Sequence, residues 1–91
     1  MEQLKTIKEL ISQGNVEQAI QMLDDYLQDS STFRDEAFYL RGNAYRKLEN
    51  WKEALNNYRL AIELNPESPA VQAQQMAMHI LNFYNKDMYN H

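Results

Sequence analysis

Apolar residues recur along most of this chain at steps of three and four, the spacing of one face of an α-helix. Leu4, Ile7, Leu10 and Ile11 predict a first amphipathic helix over residues 2–13, and Gly14 stops it by tolerating the left-handed conformation. Asn15 then stands as the cap of a second helix, with Gln18 at the reach-back position of a capping box and Val16, Ala19, Ile20, Leu23 and Leu27 as the apolar face. The polar run DSST at 29–32 breaks the pattern, and Thr32 is the expected cap of a third helix carrying Ala37, Phe38, Ala44, Tyr45 and Leu48. Asn50, followed by Glu53, opens a fourth, whose inward side is Trp51, Ala54, Leu55, Tyr58, Ala61 and Ile62. Asn65-Pro66 ends it, because proline cannot continue the hydrogen-bond ladder. Ser68-Pro69 starts a fifth helix running to about residue 85. Five helices on short connections leave no room for a sheet, so the fold class is all-α, built of antiparallel helix hairpins.

Small residues fall among large ones in the middle of the chain. Gly42, Ala44, Ala54 and Ala61 alternate with Phe38, Tyr45, Trp51 and Tyr58, which predicts that the third and fourth helices press closely together with rings closing the gaps. A period is also visible. GNVEQAI at 14–20 and ENWKEAL at 49–55 agree in role at each position, at an offset of 35 residues. A helical hairpin repeated at that length signals a solenoid in which each unit buries its face on the next.

On these residues the chain resembles tetratricopeptide repeat proteins. Residues 35–68 carry Phe38, Gly42, Tyr45, Ala54, Tyr58, Ala61 and Pro66 at the spacings of that motif; Arg41 departs from it, standing where the family usually has leucine. Residues 1–34 resemble a weaker copy, matching at Ala19 and Leu23 but with Ile7 and Leu10 in place of the Gly and Tyr. Residues 69–85 resemble a degenerate first helix serving as a terminal cap, which leaves 86–91 as a tail within a single domain 1–91.

Composition narrows the function. The chain has 91 residues, no cysteine and a net charge of −4, which excludes disulfide frameworks and thiol chemistry and argues against nucleic acid, whose phosphates need a concentrated basic face. No apolar run approaches the roughly 20 residues that span a bilayer, so no membrane partner is expected. MEQLKTIKELI lacks the continuous apolar core of a secretory signal; taken as the native start, it implies a cytoplasmic protein. Neither histidine has the partners that catalysis or metal binding requires. His79 has Gln75 and Phe83 one turn away, and His91 is terminal. Asp24, Asp25 and Asp29 lack the glycine and spacing of a calcium loop and fit a solvated helix face. The reading is therefore of a protein that is not an enzyme, with no catalytic residue, no metal and no cofactor.

What remains is binding. In tetratricopeptide repeat proteins the first helix of each pair lines a concave groove that holds an extended peptide. By that resemblance the groove here would present Lys5, Lys8, Tyr39, Asn43, Arg46 and Gln74. Cations beside an amide suit an acidic or carboxylate-terminated peptide. The implied function is a non-catalytic protein–protein interaction module holding a peptide or protein segment. The alternative is a small self-associating module whose groove or cap surface is occupied by its own tail or by a second copy. The fifth helix motivates that alternative, because its apolar residues run all round the cylinder and need a cover: the tail KDMYN, a homodimer partner or another protein.

Overall fold

The computed structural model describes residues 2–84. Five helices follow one another: α1 (Glu2–Ser12), α2 (Val16–Asp29), α3 (Arg34–Lys47), α4 (Trp51–Leu64) and α5 (Ala70–Tyr84), and no strand occurs among the described residues. Each helix packs on the next, and α1 also reaches α3, giving an elongated stack of 45 × 28 × 18 Å. The contact between α1 and α3 puts the first helices of the two hairpins side by side, with α2 and α4 behind them.

The core is two clusters that meet along α3. One joins Leu4, Ile7 and Ile11 of α1 to Ala19, Leu23 and Tyr26 of α2, and α3 contributes Ala37, Leu40 and Ala44. The other is built from Ala54, Tyr58 and Ala61 of α4 and Ala70, Ala73 and Ala77 of α5, with Phe38, Tyr45 and Trp51 packed around them. Alanine dominates this second cluster, so α4 and α5 come together by close backbone approach rather than by interlocking large side chains. Tyr39 packs against both clusters.

This arrangement divides the expected small-residue contact. Gly42 does lie against α4, where a β carbon would collide with the Tyr58 ring. Ala44, expected to join it there, instead faces the first hairpin. A helix in the middle of a stack is packed on two sides, and its small residues are shared between them.

The 35-residue period reappears in the turns. At the end of α1 the Asn15 N–H donates to the Leu10 carbonyl and the Gly14 N–H to that of Ile11; at the end of α3 the Asn50 N–H donates to Tyr45 and the Glu49 N–H to Arg46. Both are the same helix-terminating loop, with one left-handed residue, Gly14 at φ +89° and Glu49 at φ +60°. Glycine accepts that conformation freely, whereas an L side chain costs roughly 1 kcal/mol. Glu49 is exposed and engaged in no ion pair among the described residues. Glu49→Gly is expected to raise stability by about 0.5–1 kcal/mol, read as a higher melting temperature.

The loops also account for two differences from the expected caps. Asn50 accepts the Glu53 N–H at 3.3 Å as predicted, but neither Asn15 nor Asn50 leaves its own N–H for a reach-back side chain, because the preceding helix already takes it. Asn15 forms no side-chain cap. Thr32 does not cap α3 either. The helix starts at Arg34 after Phe33, itself left-handed at φ 53°, and the turn is held from elsewhere. The Tyr26 hydroxyl donates to the Thr32 carbonyl at 2.7 Å, and Arg34 donates to the carbonyls of Leu27 and Ser30 at 2.6 and 2.9 Å. At the start of α5, the Ser68 hydroxyl accepts the Ala70 N–H at 3.0 Å, as the Ser-Pro signal predicts.

Candidate functional site

The first helices of the hairpins, α1 and α3, together with α5, enclose a concavity of about 600 Å³. α1 supplies Lys8 and Ile11; α3 supplies Tyr39, Asn43, Arg46 and Lys47; Trp51 stands at one end, and Gln72, Ala73 and Met76 of α5 form the far wall. The floor and walls are thus aromatic and aliphatic, and the charged groups are all cations: Lys8, Arg46 and Lys47.

Of the residues expected to form a groove, Lys8, Tyr39, Asn43 and Arg46 are brought together here. Lys5 is exposed on α1 and does not line this cavity. Gln74 lies elsewhere, in a separate hollow between α4 and α5 with Lys52, Asn56 and Arg59. Burial of Ala70, Ala73 and Ala77 fixes the rotation of α5 and turns Gln72 and Met76, not Gln74, toward the concavity. Lys47 and Trp51 also line it and were not among the expected residues. Their signal was the helical step, since Lys47 lies four residues beyond Asn43 on the same stripe.

Asn43 is not a free groove amide. Its Oδ1 accepts the hydroxyl of fully buried Tyr58 at 2.6 Å, which fixes the side chain and leaves the Nδ2 hydrogens as the group available to an occupant. Burial pushes the Tyr58 phenol up from 10.0 to about 12, against the opposing effect of the nearby Arg46 guanidinium, while neighbouring Tyr39 adds slightly to the rise. Unfolded Tyr58 ionises near 10.0 and folded Tyr58 near 12, so folding favours the neutral phenol; that contribution is intact below pH 10 and lost as pH rises to about 12. Alkaline unfolding is therefore expected in that interval. Tyr58→Phe, although less stable at neutral pH for want of the Asn43 bond, should lose this pH dependence; circular dichroism against pH checks both.

The acidic residues of α2 are not all merely solvated. Asp24 accepts from Arg41 Nη2 at 2.8 Å and so ties the two hairpins together, while Asp25 and Asp29 remain exposed. His79 is exposed on α5. Among the described residues no group of three or more His, Asp or Glu is placed to hold a metal ion, and no helix is long and apolar enough to cross a membrane. The tail at 86–91 lies outside the described residues, as do the apolar side chains proposed to fold back from it.

Residues 35–68, the stretch that joins the concave α3 to α4 and to the turn before α5, match the family model of the tetratricopeptide repeat. Residues 35–68 are a tetratricopeptide repeat. The chain is similar over 99% of its length to the solution NMR structure of Bacteroides fragilis protein BF1650, covering 91% of that chain at 67% identity with a TM-score of 0.90. No curated protein matches it. Tetratricopeptide repeats are generally non-catalytic and bind proteins or peptides.

Proposed function

We propose that the concave face of this protein holds an extended peptide or protein segment bearing an acidic group or a terminal carboxylate, without catalysing its conversion. One observation carries this reading: the three charged side chains lining the 600 Å³ concavity are all cationic in a chain of net charge −4. The Asn43 amide is held with its donors available beside them, and Tyr39, Trp51 and Met76 offer apolar surface. A carboxylate would accept from the guanidinium and amide while its neighbouring side chains cover the rings.

The test uses the two exposed cations of the concavity that make no hydrogen bond or ion pair among the described residues. Lys8→Glu combined with Lys47→Glu is expected to weaken capture of an acidic peptide by about tenfold, with the melting temperature held within a few degrees. Fluorescence anisotropy of a labelled acidic peptide measures the first and a thermal melt the second. Unchanged affinity overturns the assignment. Asn43→Ala is unsuitable for this purpose, because it strips the buried Tyr58 hydroxyl of its acceptor and lowers stability for reasons unrelated to binding.

A second reading has its own support in α5. Residues Ala70–Tyr84 include no Lys, Arg, Asp or Glu, and Met76, Met78 and Phe83 are exposed there. A helix with apolar side chains exposed on more than one side suits pairing of two copies through it, and sedimentation velocity over a range of concentrations distinguishes that from a monomer with an occupied groove.

A further inference from the structure

We infer that the groove selects by charge order, fitting an extended segment that carries a basic and an acidic residue about five positions apart. The inference rests on the groove reading above and adds the identity and spacing of the groups recognised. The 600 Å³ concavity continues into a second hollow of about 380 Å³, and the two share Lys8, Tyr39, Leu40 and Pro69. Along this continuous trough α3 presents one stripe, stepping from Glu36 through Tyr39 and Leu40 to Asn43 and Lys47. Its first turn adds Asp35 to Glu36, and its last adds Arg46 to Lys47. The α3 side of the trough is therefore acidic at one end and basic at the other, with Lys8 of α1 facing it where the two hollows meet.

Acids at the start of a helix and bases at its end also complement the helix dipole, so that order alone says little. The dipole, however, is indifferent to which face carries the charges. Here both sets fall on the stripe that lines the trough rather than on the solvent side. The groups also differ in how committed they are. Asp35 already accepts from Asn65 Nδ2 at 3.0 Å, and Arg46 stands beside the Tyr58 hydroxyl. Glu36 and Lys47 are exposed and have neither a hydrogen bond nor an ion pair among the described residues; Lys8 is equally unengaged but lines both hollows where they meet, so Glu36 and Lys47 are the uncommitted charges at the two ends. They are eleven residues apart on a helix rising about 1.5 Å per residue, or roughly 16 Å. An extended chain covers that distance in about five residues at roughly 3.3 Å each. Between them Tyr39 and Leu40, faced by Met76, provide the apolar middle.

The experiment uses labelled, end-blocked peptides of identical apolar centre that differ only at the two positions: Lys with Glu, Ala with Glu, and Glu with Glu. For the parent protein the Lys/Glu peptide is expected to bind best, the Ala/Glu peptide about threefold less tightly and the Glu/Glu peptide about tenfold less, with the differences lost in about 1 M salt. In Glu36→Lys, an exposed site whose change leaves the core untouched, the Glu/Glu peptide should become the best ligand. If all three peptides bind equally to the parent and Glu36→Lys leaves their order unchanged, while Lys8→Glu with Lys47→Glu still weakens them, charge order is wrong and the groove stands. If none binds, or binding ignores Lys8 and Lys47 as well, the groove reading and this inference fall together.

Discussion

Gly42→Ala is expected to destabilise the protein by about 2 kcal/mol, although the same change in an exposed helix would stabilise it by about 1 kcal/mol. A β carbon at position 42 would stand 2.5 Å from Cε1 and 2.6 Å from Cδ1 of Tyr58, and 3.2 Å from the Ala54 carbonyl oxygen. Neither neighbour can easily yield. The carbonyl belongs to the α4 backbone, and the Tyr58 ring is fully buried, packed 6.2 Å from the Tyr39 ring and tethered through its hydroxyl to Asn43. Relief requires α3 and α4 to separate, which loosens packing along the hairpin, and overpacking of this kind typically costs about 1–3 kcal/mol. The upper part of that range applies, because the overlap is about 1 Å, and it exceeds the propensity gain. In a domain of this size the net loss lowers the melting temperature by roughly 8–16 °C. The cause can be isolated in a Tyr58→Leu background, where the obstructing ring is gone and Gly42→Ala should turn neutral or stabilising. A rise in melting temperature on making Gly42→Ala in the parent would show that the two helices are not nested at this point.

That nest was legible from the sequence because glycine weakens a helix interior, so its place between rings points to a backbone that must be approached closely. The helices were legible for a related reason: their apolar residues recur with an unbroken helical step. What the sequence withheld is which side of a doubly packed helix each residue serves. Ala44 is as small as Ala54, yet it joins α1 and α2. α5 shows the same limit more sharply. Its apolar residues run round the whole cylinder, so no stripe fixes its rotation, and the expected groove residue Gln74 is carried to another surface. The entry to α3 was illegible for a different reason. Its turn is anchored by Tyr26 and Arg34 to carbonyls four to seven residues away, and a local capping pattern at Thr32 is blind to such bonds. Of the candidate site, the α3 residues were readable because they share one stripe; the contribution of α5 was not.

Arg41→Leu, the change toward the residue usual in the family, is expected to cost about 1–2 kcal/mol rather than to stabilise. Arg41 joins three helices. It contacts Asp24 of α2 at 2.8 Å, donates to Asn57 Oδ1 of α4 at 3.2 Å, and lies 5.5 Å from the centre of the Tyr45 ring. The ion pair contributes little, since the Asp24 side chain is 49% exposed and water can replace its partner. The bond to Asn57 matters more. Asn57 is 1% exposed, and its Nδ2 is already spent on the Glu53 carbonyl at 2.8 Å, so with leucine at 41 its Oδ1 is left buried without this donor. An orphaned buried acceptor costs about 1–3 kcal/mol, which outweighs the added apolar burial of leucine. Arg41 also carries a standing cost, because its Nε is buried with no hydrogen-bond partner among the described residues. Removing both polar groups should therefore be far milder than removing either. Arg41→Leu with Asn57→Leu is expected to recover most of the loss of the two single variants, a coupling of at least about 1 kcal/mol in a double-mutant cycle measured by urea unfolding. Strictly additive losses would mean that Arg41 and Asn57 are held by their surroundings independently, and that this departure from the family pattern is not compensated across the α3–α4 contact.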